Sequence, residues 1–211
     1  MRIYLIGYMG CGKSTIARKV ARLGSMQFVD TDSVVEQREN CSVADVITHC
    51  GEEYFRQVER EALLSTAECE RAIISTGGGL PMWSDNMEQI RRLGGSVYLR
   101  RSPAKIISRL SPYGRAKRPK FRGLNDEELL EFMTKHMAER EPVYIQADEV
   151  IDCDTMSDDM VVDRILPRHS DSGLLANSAS CGRVAAHNPN WDRLFEICST
   201  LRYCVSLYLP L

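Results

Sequence analysis

The chain has eight cysteines but no CxxC pair, and its four histidines, His49, His136, His169 and His187, are scattered. No metal-ligand spacing or disulfide framework emerges, which points to free thiols in a reducing cytosol. An excess of charge of one sign is also lacking. The 27 Lys and Arg stand against 29 Asp and Glu, leaving a net charge of −2. Bulk charge therefore gives no reason to expect nucleic acid or a membrane surface as a partner, and a basic patch would have to be local. No apolar run is long enough to span a bilayer. A first strand beginning almost at Met1 leaves no room for a signal peptide, so a cytoplasmic protein is expected. There is no internal repeat. What remains is 211 residues, one ordinary domain with room for an appendage.

The stretch that organises the chain is GYMGCGKST, Gly7 to Thr15, which fits GxxxxGK[ST] with Gly7, Gly12, Lys13 and Ser14 in register. A short buried strand, Arg2 to Ile6, precedes it, and Ile16, Val20 and Leu23 follow at helical spacing. Glycines let backbone N–H groups point at a polyphosphate, and a helix starting near Lys13 adds its positive end. Lys13 would reach the β- and γ-phosphates, and the Ser14 hydroxyl would hold Mg²⁺.

A second strand, Gln27 to Asp30, runs into Asp30-Thr31-Asp32. Residues two apart on a strand share a face, so both carboxylates can serve one site beyond the strand end. The alternative is that Thr31 or Asp32 caps a helix starting near Ser33. Residues 33–66 read as helix with a break at Gly51. Within them Arg56 and Glu59 can pair across one turn, or Arg56 can offer its planar fork to a substrate carboxylate. Ala72 to Thr76 is a buried strand leading straight into Gly77-Gly78-Gly79, either a close approach to a small ligand or a mobile turn. The strand lacks the terminal Asp that often organises Mg²⁺, so Asp30 or Asp32 must supply the acid.

Helices are then expected at 85–93, 103–110 and 126–141, the last stopped by Pro142 with Arg140 in its final turn, where it can complement the helix C-terminus. Strands are expected at 96–99 and 149–152, and a closing helix at 158–166. Between Ser111 and Arg122, Pro112, Gly114 and Pro119 sit among five cations. Such a run is usually a solvated loop, but beside a polyphosphate site it reads as a lid. Alternating strands and helices predict an α/β fold, a parallel sheet with helices on both faces.

Six pieces in order resemble shikimate kinase over roughly residues 1–166. They are the phosphate loop, DTD at 30–32, FRQVE at 55–59, TGGG at 76–79, RPKF at 118–121 and EREPVY at 139–144. The resemblance implies a P-loop kinase with a five-stranded parallel sheet in order 2-3-1-4-5 and a mobile lid at about 111–122. It implies transfer of the γ-phosphate of ATP to the 3-hydroxyl of shikimate, in the route to chorismate and the aromatic amino acids, by a monomer. Shikimate would meet Asp32, Arg56, Gly77, Gly78, Gly79 and Arg140, with both arginines on its carboxylate and Glu59 orienting Arg56. ATP would meet Gly10, Cys11, Gly12, Lys13, Ser14 and Thr15, with Arg118 reaching over from the lid. Lys13, Asp32 and Arg118 would be catalytic, and Ser14 with Asp30 would hold Mg²⁺.

The chain departs from the family pattern in two places. The stretch Asp152 to Met156 lacks the arginine that in the family often covers adenine, and Arg109 is the candidate to cap adenine on one side. Residues 167–211 extend past the point where family members normally stop, with a linker-like start and an apolar end. Activity is expected to survive their removal. Rival readings are another small-metabolite kinase, such as a gluconate kinase, or a nucleotide-binding module without catalysis.

Overall fold

The computed structural model describes residues 1–111, 115, 121 and 123–166, all within the unit Met1–Arg168. Arg118 and the extension 167–211 lie outside the described residues. The strands are β1 (Arg2–Ile6), β2 (Gln27–Asp30), β3 (Ala72–Ser75), β4 (Gly95–Arg100) and β5 (Glu149–Asp152). They form one parallel sheet in the order β2-β3-β1-β4-β5, flanked by helices, as expected. A parallel strand covered on both faces can be apolar throughout. β3 is buried at all four positions, and Tyr4, Leu5, Ile6, Val97, Tyr98 and Leu99 fill the centre beside it.

Register does the positioning. Ser75 at the end of β3 lies opposite Asp30 at the end of β2 and opposite Leu5 of β1. Three strand ends therefore finish at one edge, where β1 hands over to the phosphate loop. Chain direction across the sheet also reverses about β1, which opens a crevice at this edge.

Helix α1 (Lys13–Leu23) buries Ile16, Ala17 and Val20 in the main core. Helices α2 (Thr31–Glu39) and α3 (Val43–Ser65) share a smaller core of Val35, Val46, Phe55, Val58 and Ala62. The single helical stretch expected over 33–66 is thus two helices. Asn40 turns left-handed at φ 54°, and Ser42 opens α3 with a capping box to Asp45. The expected break at Gly51 is present, at φ 87° and ψ 163°.

Helices α4 (Asn86–Leu93), α5 (Pro103–Arg109) and α6 (Asp126–Ala138) follow, then a short α7 (Glu141–Tyr144) and α8 (Asp158–Ile165). The helix expected over 126–141 stops earlier, at Ala138. Pro142 is the reason, because a proline ring clashes with the carbonyl four residues before it. Arg140 consequently stands between two helices rather than in a last turn. Among the described residues no helix is long and apolar enough to cross a membrane.

Candidate active site

Gly12 stands at the N-cap of α1 in the left-handed region, at φ 107°, and supplies no side-chain cap. The first turn also carries no acidic residue. An N-terminus without cap or acid keeps its N–H groups and its positive end available to an anion. Lys13 is 7% exposed, and its Nζ donates to the carbonyls of Gly7 at 2.8 Å and Tyr8 at 3.0 Å. The loop is thus drawn around its own ammonium. The Cys11 N–H closes the turn onto the Tyr8 carbonyl at 3.2 Å, and the Cys11 side chain is buried.

Asp30 caps α2: its Oδ1 accepts from the Asp32 N–H at 3.2 Å. This corrects both readings of the DTD stretch. The helix begins at Thr31, so Asp32 is not on a strand with Asp30, and neither Thr31 nor Asp32 is the cap. The two carboxylates still reach one cavity, because an N-cap and a first-turn residue lie side by side. Asp30 Oδ2 accepts from the Ser14 hydroxyl at 2.7 Å, and Ser14 Oγ lies 3.0 Å from Ser75 Oγ. Ser75 occupies the strand end where an acid is absent, and the neighbouring strand brings one to its side.

Arg56 Nη1 donates to Glu59 Oε2 at 2.6 Å and Nη2 to Glu52 Oε1 at 3.0 Å. Glu59 is 1% exposed. Burial is the main force pushing its carboxyl up to about 7; the Asp32 charge adds to this, and Arg56 pulls the other way. Burial likewise raises Asp32 to about 6, helped by the Asp30 charge and opposed by Lys13 and Arg56.

The three glycines after β3 are packed against these charges. A Cβ on Gly79 would lie 2.6 Å from Arg56 Nη1, and one on Gly77 would lie 2.7 Å from Asp32 Oδ1. The Gly77 N–H donates to Thr31 Oγ1 at 2.9 Å. The Gly78 carbonyl accepts from Arg140 Nη1 at 3.2 Å and from the Tyr144 hydroxyl at 2.5 Å. Arg140 is therefore aimed at the glycine turn, not at a helix end.

A cavity of about 640 Å³ joins these groups. Gly10, Lys13, Ser14, Asp30, Asp32, Arg56, Gly77, Gly78, Gly79 and Arg140 all line it, with Val43, Ile47 and Phe55 as an apolar side. Cys11 and Gly12 on the loop, and Thr15 in the first turn of α1, are not among its lining residues. Arg109 stands apart at the end of α5, paired to Asp158 at 2.6 Å. Sequence reasoning missed Tyr144, Glu52 and Ser75. Glu52, four residues before Arg56, was legible as a helix-face pair. Tyr144 and Ser75 become visible only through the register of distant segments.

A chain that puts a cap-less helix start, a hydroxyl–carboxylate pair and two arginines around one cavity can hold a polyphosphate beside a small acid. The shikimate kinase family model matches residues 9–169. The shikimate kinase of Bacteroides thetaiotaomicron is 39% identical over 158 residues, 75% of this chain and 90% of that protein. The shikimate kinase of Flavobacterium johnsoniae is 37% identical over 167 residues, 78% of this chain and 96% of that protein. A crystal structure of the Bacteroides thetaiotaomicron enzyme superposes with a TM-score of 0.72 at 36% identity, over 78% of this chain and 95% of that one. A shikimate kinase from Acinetobacter baumannii in complex with shikimate gives 0.69 at 27% identity, over 78% and 89%. The chain belongs to the shikimate kinase family.

Proposed function

We propose that this chain transfers the γ-phosphate of ATP to the 3-hydroxyl of shikimate, a step toward chorismate and the aromatic amino acids. One observation carries the reading. A single cavity is lined by Lys13 of the phosphate loop, by Arg56 and Arg140, and by Asp32. Phosphoryl transfer asks a protein mainly for positioning and charge stabilisation, and these residues supply both.

In this reading Arg56 and Arg140 grip the shikimate carboxylate. Glu59 and Glu52 hold two of the Arg56 nitrogens, which fixes the plane of its guanidinium. Asp32 takes the proton of the attacking hydroxyl, and a carboxyl raised to about 6 is well poised for it near neutral pH. Lys13 meets the β- and γ-oxygens. Arg118 reaches the phosphates from the lid, and Arg109, already on the Asp158 carboxylate, caps the adenine.

The donor set suits Mg²⁺. This ion keeps several waters and takes one or two carboxylates with substrate phosphates, and here a hydroxyl and a carboxylate lie 2.7 Å apart, with a second hydroxyl beside them. Ser14 and Asp30 would hold the ion, Asp30 through water. When bound it neutralises charge on the phosphate oxygens.

Activity is assigned to residues 1–166, acting as a cytoplasmic monomer without nucleic-acid or membrane partners. A family match ending at residue 169 supports that boundary. The test is ADP release with shikimate, gluconate and water as competing acceptors. Shikimate should dominate, and gluconate preference or turnover with water alone would overturn the assignment.

A further inference from the structure

Tyr8 is not conspicuous in the sequence, because it fills one of the unrestricted positions of the phosphate loop. In the structure its side chain is 1% exposed and meets residues from well beyond the loop. Its hydroxyl lies 2.7 Å from His136 Nδ1, at the end of α6, and the two rings meet edge-on at 5.5 Å between centroids. Burial pushes the Tyr8 hydroxyl up to about 12, so it stays protonated at neutral pH. The His136 ring lies in turn 5.2 Å from Phe132, which meets buried Phe121 edge-on at 6.4 Å. The Arg140 guanidinium lies 5.8 Å from the centre of the Tyr8 ring. The Tyr8 carbonyl accepts from Lys13 Nζ at 3.0 Å.

One residue thus touches both grips: its carbonyl holds the lysine assigned to the phosphates, and its ring backs an arginine assigned to the acid. Its hydroxyl is tied to a third element, α6, which itself stands on Phe121. We infer that Tyr8 is a positioning residue that keeps the two substrate grips in register, and that His136 pegs it there. The inference rests on the kinase reading of Lys13 and Arg140.

Neither residue needs to touch a substrate to do this. The 2.7 Å pair fixes where the Tyr8 hydroxyl sits, and losing it lets the Tyr8 ring and carbonyl move together. Each grip would still bind its own substrate, but the acceptor oxygen and γ-phosphorus would be held less well in line. Alignment of that kind appears in kcat, and binary affinities barely register it.

The experiment uses the full chain with Tyr8→Phe, His136→Leu, the double variant, and His136→Asn, whose amide can place a polar atom where Nδ1 sits. Binary affinities for shikimate and for a non-hydrolysable ATP analogue are measured by calorimetry, beside kcat and melting temperature. Tyr8→Phe and His136→Leu should each lower kcat about three- to tenfold, the rate equivalent of one neutral hydrogen bond. Binary affinities should stay near wild type. The double variant should be no slower than the worse single one, since both remove the same tether, and His136→Asn should recover most of the loss. Fully multiplying losses, unchanged kcat in the single variants, or equal losses in kcat and both affinities would overturn the inference. Failure of the kinase reading looks different, because the wild-type chain itself would then show no shikimate-dependent turnover.

Discussion

The Ser14 hydroxyl donates to Asp30 Oδ2 at 2.7 Å, joining the first residue after the P-loop lysine to the cap of the next helix. Asp30 therefore has two duties, one to the fold and one to the proposed metal. Asp30→Asn separates them. Asparagine caps a helix about as well as aspartate, but it brings no charge to a cation. Melting temperature should move little, while the Mg²⁺ concentration for half-maximal turnover rises about tenfold or more, as for loss of a charged ligand. A Mg²⁺ titration of turnover beside a thermal melt checks both halves. A large fall in melting temperature at unchanged Mg²⁺ demand would leave Asp30 as a cap alone.

Asp32→Asn should lower kcat by about 10²–10⁴, the usual weight of a positioned base, with ATP binding nearly intact. The sign with pH follows from the raised carboxyl. Asp32 is protonated below about 6 and anionic above it, so wild-type kcat/KM for shikimate should fall as pH drops through that value. The variant should lose this acidic limb. An unchanged limb would assign it to another group.

Glu59 gives a stability prediction. Its folded-state carboxyl is raised from 4.5 to about 7, mainly by burial. A raised value means the folded chain holds the proton more tightly than the unfolded chain does. The contribution to stability is then full below about 4.5 and is lost as pH rises through about 7. Glu59→Gln removes this term, so the stability of the unliganded wild type relative to the variant should decline across that window. Denaturant melts at several pH values measure it. A difference that grows with pH would mean the Arg56 ion pair outweighs desolvation.

Much of this was legible from residues alone. All five strands were read close to their observed bounds, and the phosphate loop marked the edge that carries the site. The helix ends were less legible, for physical reasons. Asp30 outcompeted its neighbours as cap because the strand leaves it extended, at φ −119°. Pro142 ended α6 four residues upstream of itself, which turned Arg140 toward Gly78. Ser75 and Tyr144 enter the site through register and packing across the chain, and no local pattern carries that information.

The glycine turn offers the sharpest separation of the two substrate grips. A methyl at Gly79 meets the far end of a long side chain, Arg56 Nη1 at 2.6 Å and Nη2 at 2.7 Å. A guanidinium can swing away, so Gly79→Ala should fold but pull Arg56 off Glu59. Shikimate KM should rise about tenfold or more, the cost of one charged hydrogen bond, with ATP KM nearly unchanged. A methyl at Gly78 instead meets backbone, the Met9 nitrogen at 3.1 Å, and the phosphate loop must give way. Gly78→Ala should therefore raise ATP KM as well and lower the melting temperature more. Steady-state kinetics with each substrate varied, beside thermal melts, tells the two apart. If Gly79→Ala raised both KM values equally, Arg56 would not be a grip specific to the acid.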